Sequence, residues 1–146
     1  MNDYMKMSLL IISILSSYTL SAQNWILDIN EAKENASETN KKIVLVFQGS
    51  DWCAPCIKLD KEIWSTEEFK KYADTHFIML QADFPRKRKN ALSEEQQQKN
   101  NLLAETYNKK GHFPFVVVLN SKGNVLGESG YIKTNPSSYI SHINSF

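Results

Sequence analysis

The stretch Ile43-Val44-Leu45-Val46-Phe47-Gln48-Gly49-Ser50-Asp51-Trp52-Cys53-Ala54-Pro55-Cys56 decides the fold. Its first five residues form an unbroken β-branched and aromatic run, the pattern of a strand covered on both faces. Gln48 to Asp51 ends that strand. Pro55 then stands in the first turn of a helix, where proline is tolerated, and Ile57, Leu59, Lys61, Ile63 and Trp64 continue it. The only two cysteines of the chain, Cys53 and Cys56, therefore fall at a strand-to-helix junction. Two thiols in the first helical turn lie on one side, close enough for a readily exchanged disulfide. A structural staple gains stability by closing a long loop of the unfolded chain, and a two-residue spacer closes almost none. The pair reads as redox chemistry.

Working outward, Asn30 to Asn40 carries Glu31, Ala32, Lys33, Glu34, Ala36 and Glu38 and predicts a short surface helix. Downstream, Ser65-Thr66-Glu67-Glu68 is a capping box, so the helix that follows the cysteines bends or restarts near Ser65. Phe77 to Asp83 is a second strand, reached within one helical connection and so expected to pair in parallel with the first. Phe84 to Leu92, with Pro85 and the run Arg86-Lys87-Arg88-Lys89, reads as an exposed loop. Ser93 with Gln96 caps a helix through about Tyr107. Gly111-His112-Phe113-Pro114 breaks the pattern before a third strand, Phe115 to Leu119. Asn120 to Asn124 turns the chain into a fourth, Val125 to Tyr131. Asn135-Pro136 opens a last helix carrying Tyr139, Ile140 and Ile143. The expected architecture is α/β, a central mixed sheet of about four strands flanked by helices.

The 146 residues, 42% hydrophobic and 23% charged, fit one globular core, and a net charge of +1 gives no electrostatic case for nucleic acid or an anionic membrane as partner. At the N-terminus, Lys6 precedes the apolar stretch Leu9 to Leu15, followed by Ser16, Ser17, Thr19, Ser21 and Ala22. That is the layout of a secretory signal peptide cleaved near Ala22, and the apolar core falls short of the ~20 residues a membrane-spanning helix needs. The domain plan is a signal peptide over 1–22 and one folded domain over 23–146. The membrane is met only during export, and a periplasmic or secreted protein lives where disulfides persist.

The segment Phe47 to Cys56 resembles the active-site approach of thioredoxin-like proteins, and the likeness extends over nearly the whole of residues 23–146. It is similar to exported bacterial members with a Gly-Ser-Asp-Trp-Cys approach, and to the C-terminal domain of the membrane thiol:disulfide interchange protein. The resemblance implies the thioredoxin fold and a cis peptide at Phe113-Pro114, before the third strand. It implies Cys53 as the attacking sulfur, its thiolate favoured by the helix N-terminus, and Cys56 as the resolving one. Trp52, Phe113 and Pro114 become substrate-binding residues, Trp52 as an apolar shelf and the Phe113 backbone as an edge for an extended chain. One position departs from the pattern: Phe47 stands where thioredoxin keeps a buried Asp. Asp60, one helical turn after Cys56, is the replacement proton carrier, as in members of the resembled group.

These readings converge on an exported thiol:disulfide oxidoreductase acting on protein disulfides or dithiols, with a reductase or isomerase-like direction favoured by the Ala54-Pro55 spacer. The Cys53–Cys56 disulfide is the redox group and no organic cofactor is expected. With no glycine-rich nucleotide fingerprint, electrons must come from a separate donor, a membrane thiol protein. Three scattered histidines, His76, His112 and His142, offer no metal-ligand spacing. His112 and the Arg86–Lys89 run read as solvated loop, although the run could meet an acidic partner. The competing functions are a peptide-binding or chaperone-like module in which the cysteines are secondary, and a thiol peroxidase. N-terminal sequencing of the protein recovered from outside the cytosol should begin at Gln23; an intact Met1 or Asn2 start would refute the cleavage.

Overall fold

The computed structural model describes residues 22–146; the expected signal peptide lies almost wholly outside the described residues. Five strands form one sheet in the order β1-β3-β2-β4-β5: β1 (Trp25–Ile26), β2 (Lys42–Gln48), β3 (Phe77–Asp83), β4 (Phe115–Leu119) and β5 (Val125–Ser129). The helices are α1 (Ile29–Thr39), α2 (Ala54–Leu59), α3 (Glu67–His76), α4 (Glu94–Tyr107) and α5 (Pro136–Asn144), with a 3-10 turn at Arg88–Asn90. β1 and β2 both pair in parallel with β3, whereas β2–β4 and β4–β5 are antiparallel. The mixed sheet and flanking helices are those of the thioredoxin fold, with one correction: there are five strands, not four. The extra one, β1, is two residues long at the edge beside β3, too short to leave a periodic signature.

Double-sided burial explains why β2 reads as a continuous apolar run. Val44 and Val46 point into one core with Met79, Val116, Val118, Leu59, Ile63, Trp64, Phe69 and Tyr139. Ile43, Leu45 and Phe47 point into the other with Leu80, Ala82, Val117, Leu119, Ala32, Ala36 and Leu103. Successive strand residues alternate between faces, so each strand must supply apolar side chains to both. Trp64 centres the first core, with edge-to-face contacts to Phe69 at 4.8 Å and Tyr139 at 5.3 Å.

The local start and stop signals act as the sequence implies, with shifts. Asp28 caps α1, its carboxylate accepting from the Asn30 N–H at 2.8 Å, and Asn40 closes the helix in the left-handed conformation. The irregularity expected near Ser65 is a π-helical segment, Asp60–Trp64, between α2 and α3. It carries Ile63 and Trp64 into the core before Thr66 caps α3.

At the other end, α5 ties the C-terminus to the segment after β5. The Tyr139 hydroxyl donates to the Gly130 carbonyl at 2.8 Å, and burial pushes its phenol pKa up to about 12, so it remains a donor. Gly130 itself lies against the Pro114 carbonyl, where a Cβ would come within 3.3 Å. Replacing Tyr139→Phe leaves the packing and removes only that donor. Urea unfolding should show a loss of about 1–2 kcal/mol with an unchanged m-value; an unaltered midpoint would refute a stabilising role for the bond.

Candidate functional site

Cys53 is the residue immediately before α2, in extended conformation (φ −87°, ψ 98°), with Pro55 in the first turn. The turn that delivers it is closed by Gly49, whose carbonyl accepts from the N–H groups of Trp52 at 3.3 Å and Cys53 at 2.9 Å. Cys53 and Cys56 are joined by a disulfide with their Cα atoms 5.2 Å apart. The Cys56 N–H also donates to the Cys53 Sγ at 3.3 Å. Both cysteines are recessed, at 4% and 3% exposure, so a partner must make close contact to reach the sulfur.

Trp52 is held from four directions. Its Nε1–H donates to the Phe84 carbonyl at 2.7 Å, and the Arg86 guanidinium lies 3.6 Å over its ring. Phe113 packs edge-on at 5.5 Å, itself against Phe84 at 5.5 Å. On the fourth side the indole lies across Gly49, where a Cβ would fall 2.3 Å from the ring, so only glycine fits. The Phe113–Pro114 peptide is cis. Phe113, with Pro114 next to it in the chain, is thus brought against Trp52, the residue before Cys53.

Asp60 is exposed and opens the π-helical segment, where its carboxylate accepts from the Ser65 hydroxyl at 3.1 Å. With Cys56, Ile57, Trp25, Gln48, Ser50 and Gln81 it lines a cleft of ≈ 270 Å³. The structure therefore gives Asp60 and Cys56 a common space. Phe47 is fully buried in the opposite core, 6.3 Å from Phe115, and holds no polar group. Gln48 and Gln81 are polar residues of the Cys56 cleft that the sequence reading passed over. Both continue the face of their strands that carries Val44 and Val46 or Phe77 and Met79, and the polar residue ending that apolar series was the available signal.

The second group missed from sequence fastens the loop after β3 to the redox motif. The Asp51 carboxylate accepts from the N–H groups of Arg86 at 2.9 Å and Lys87 at 3.0 Å, and from the Asn90 amide at 2.9 Å. The Asp83 carboxylate accepts from the backbone N–H groups of Ser50 and Phe84, both at 2.9 Å, and from the Ser50 hydroxyl. Buried Asn100 donates to the Asp83 carbonyl at 2.8 Å, and buried Asn108 exchanges two hydrogen bonds with the His112 backbone just before the cis peptide. Phe84 and Arg86 thereby become walls of the site. His112 is exposed, with its ring 6.1 Å from Phe115. Among the described residues no three His, Cys, Asp or Glu side chains converge as metal ligands.

The thioredoxin-like family pattern matches residues 24–121. The chain is 39% identical over 115 residues to the disulfide bond reductase DsbH of Chlamydia pneumoniae, covering 79% of this chain and 68% of that protein. It is 30% identical over 95 residues to the thioredoxin-related protein DsbJ of Chlamydia pneumoniae, across 65% of this chain and 26% of that one. The solved structure of a DsbH oxidoreductase superposes with a TM-score of 0.78 at 33% identity, covering 96% of each chain.

The Asp51 latch has a pH signature. The Arg86 N–H, the Asn90 amide and then the Lys87 N–H stabilise its charged form and hold its carboxyl below the ordinary value of 3.8. A lowered folded pKa means the latch contributes in full above that value and is lost as pH falls through the lower one. The amide-proton shifts of Arg86 and Lys87 should therefore titrate together with a midpoint below 3.8. Asp51→Asn should abolish that step; its survival would assign the titration to another group.

Proposed function

This chain belongs to the thioredoxin-like family and is a thiol:disulfide oxidoreductase, and from that premise we propose that it is an exported reductase of protein disulfides. The observation that carries the chemistry is the recessed Cys53–Cys56 pair at the start of α2. The likeness to a disulfide bond reductase supports the direction, and the signal-like N-terminus supports a periplasmic or secreted location.

In the reduced protein, Cys53 is the nucleophile. The Cys56 N–H, already directed at its sulfur, and the rest of the first turn favour the thiolate. The thiolate attacks one sulfur of a substrate disulfide, forming a Cys53–substrate bond, and the other substrate sulfur leaves as a thiolate that takes up a proton. Cys56, giving its proton to Asp60 through their shared cleft, then attacks the Cys53 sulfur. The second substrate thiol is released, and the chain is left with its own disulfide. Two electrons have passed to the substrate, and a membrane dithiol protein restores them by the reverse exchange. Trp52, Phe113 and Pro114 hold the extended substrate segment against Cys53.

Single-turnover reduction of a protein disulfide tests this reading. Cys53→Ser should abolish turnover, and Cys56→Ser should accumulate a mixed disulfide through Cys53, visible by mass. Asp60→Asn should slow the release step and alter its pH profile while the attack by Cys53 keeps its rate. Equilibration with glutathione should place the potential near the roughly −270 mV of a reductant; one near −120 mV would reverse the direction. Full activity of the double serine variant would transfer the function to peptide binding alone.

A further inference from the structure

The run Arg86-Lys87-Arg88-Lys89, which reads from sequence as a solvated loop, is fastened to the redox motif by the Asp51 latch, by the Phe84 carbonyl on Trp52 and by the Arg86 stack. All four basic side chains are exposed, and among the described residues none of them forms an ion pair with a carboxylate. The two nearby carboxylates, Asp51 and Asp83, accept from neutral N–H and O–H donors that fix the loop. The Asn108-braced loop that runs into the cis peptide carries exposed Lys109 and Lys110, which share a groove with Glu128 rather than with the redox motif. Four cations of the Arg86–Lys89 loop thus stand beside Trp52, against the loop-fixing Asp51 and Asp83 and the Asp60 of the Cys56 cleft, on a chain whose total charge is only +1. The unpaired positive charge of this loop is fixed on the wall beside Trp52.

We propose that the protein disulfides reduced by this chain carry carboxylates beside their cysteines, and that the Arg86–Lys89 loop is the surface that receives them. The inference rests on the oxidoreductase reading and names the substrate class for it. Recessed sulfurs require a substrate segment to come in close beside Trp52 and the loop fastened to it, so the residues flanking its cysteine pass within reach of these side chains. Long-range attraction of opposite charges raises the encounter rate, and like charges on a wrong substrate are repelled. A flat anionic surface gains the same attraction without needing the loop to be fixed beside Trp52. That geometry favours a disulfide-bearing segment over a membrane.

The test uses two peptides with one internal disulfide each, differing only in whether Glu and Asp or Ser and Asn flank the cysteines. The fully reduced protein should reduce the acidic peptide about tenfold faster in kcat/KM at low ionic strength, the ratio shrinking as added salt shortens the screening length. Arg88→Glu with Lys89→Glu should bring the ratio to one or below. Lys71→Glu with Lys122→Glu makes the same change in net charge away from the loop and should leave it in place. Equal rates for the two peptides, or equal loss in both double variants, would overturn the inference while leaving the oxidoreductase reading intact. So would binding to vesicles containing anionic lipid that the Arg88, Lys89 variant loses while the peptide ratio stays unchanged. Failure to reduce either peptide would overturn the oxidoreductase reading and this inference with it.

Discussion

The covering of β2 on both faces is the constraint on which the rest depends. A strand packed between two helical layers can carry charge on neither side, so its interior residues are Ile43 to Phe47 and nothing polar enters before Gln48. The first place where the chain can meet water is therefore the strand's carboxyl end. The turn at Gly49 uses that end to present Cys53. The same constraint accounts for Phe47: turned toward Phe115 in the second core, it gives Cys56 no carboxylate. The polar groups near Cys56 instead gather on the α2 side of the sheet, in Gln48, Gln81 and Asp60.

Much of this was legible because double-sided burial writes a loud signal. β3 and β4 fall on the residues the apolar runs mark, the caps Ser93 and Asn135 each accept the backbone hydrogen bond their position implies, and the cap of α3 falls one residue late, on Thr66 instead of Ser65. β1 escaped because two residues make no period, and its partner Met79 lies far along the chain. The π-helical form of Asp60–Trp64 escaped because it is imposed by where Trp64 must pack, a tertiary demand with no local signature. In the site, the cysteines, Trp52 and Phe113-Pro114 were readable as local motifs. Asp51, Asp83, Phe84 and Arg86 were not, since their partners lie more than thirty residues away and only the parallel β2–β3 register brings them together.

Polar satisfaction organises the rim as hydrophobic burial organises the middle. The connections at the redox end are held by side chains that bond to backbone groups: Asp51 and Asp83 for the loop after β3, Asn108 for the turn before the cis peptide, and Tyr139, through one bond, for the segment after β5. Irregular backbone is fixed in place this way without a strand or helix to support it. The wall beside Trp52 is thereby an inherited part of the sheet's register, and its charge travels with it.

The indole lying across Gly49 ties two positions of the chain into one unit of heritable change. Glycine at 49 is required only while a flat bicyclic ring occupies the space a Cβ would need. A descendant that first gains a side chain at 49 must expel the ring from its seat between Arg86 and Phe113, whereas one that first shrinks Trp52 frees position 49 to drift. The order of substitution is asymmetric. Among divergent copies of this chain, tryptophan at 52 should carry glycine at 49 with it, while glycine at 49 carries no such obligation in return.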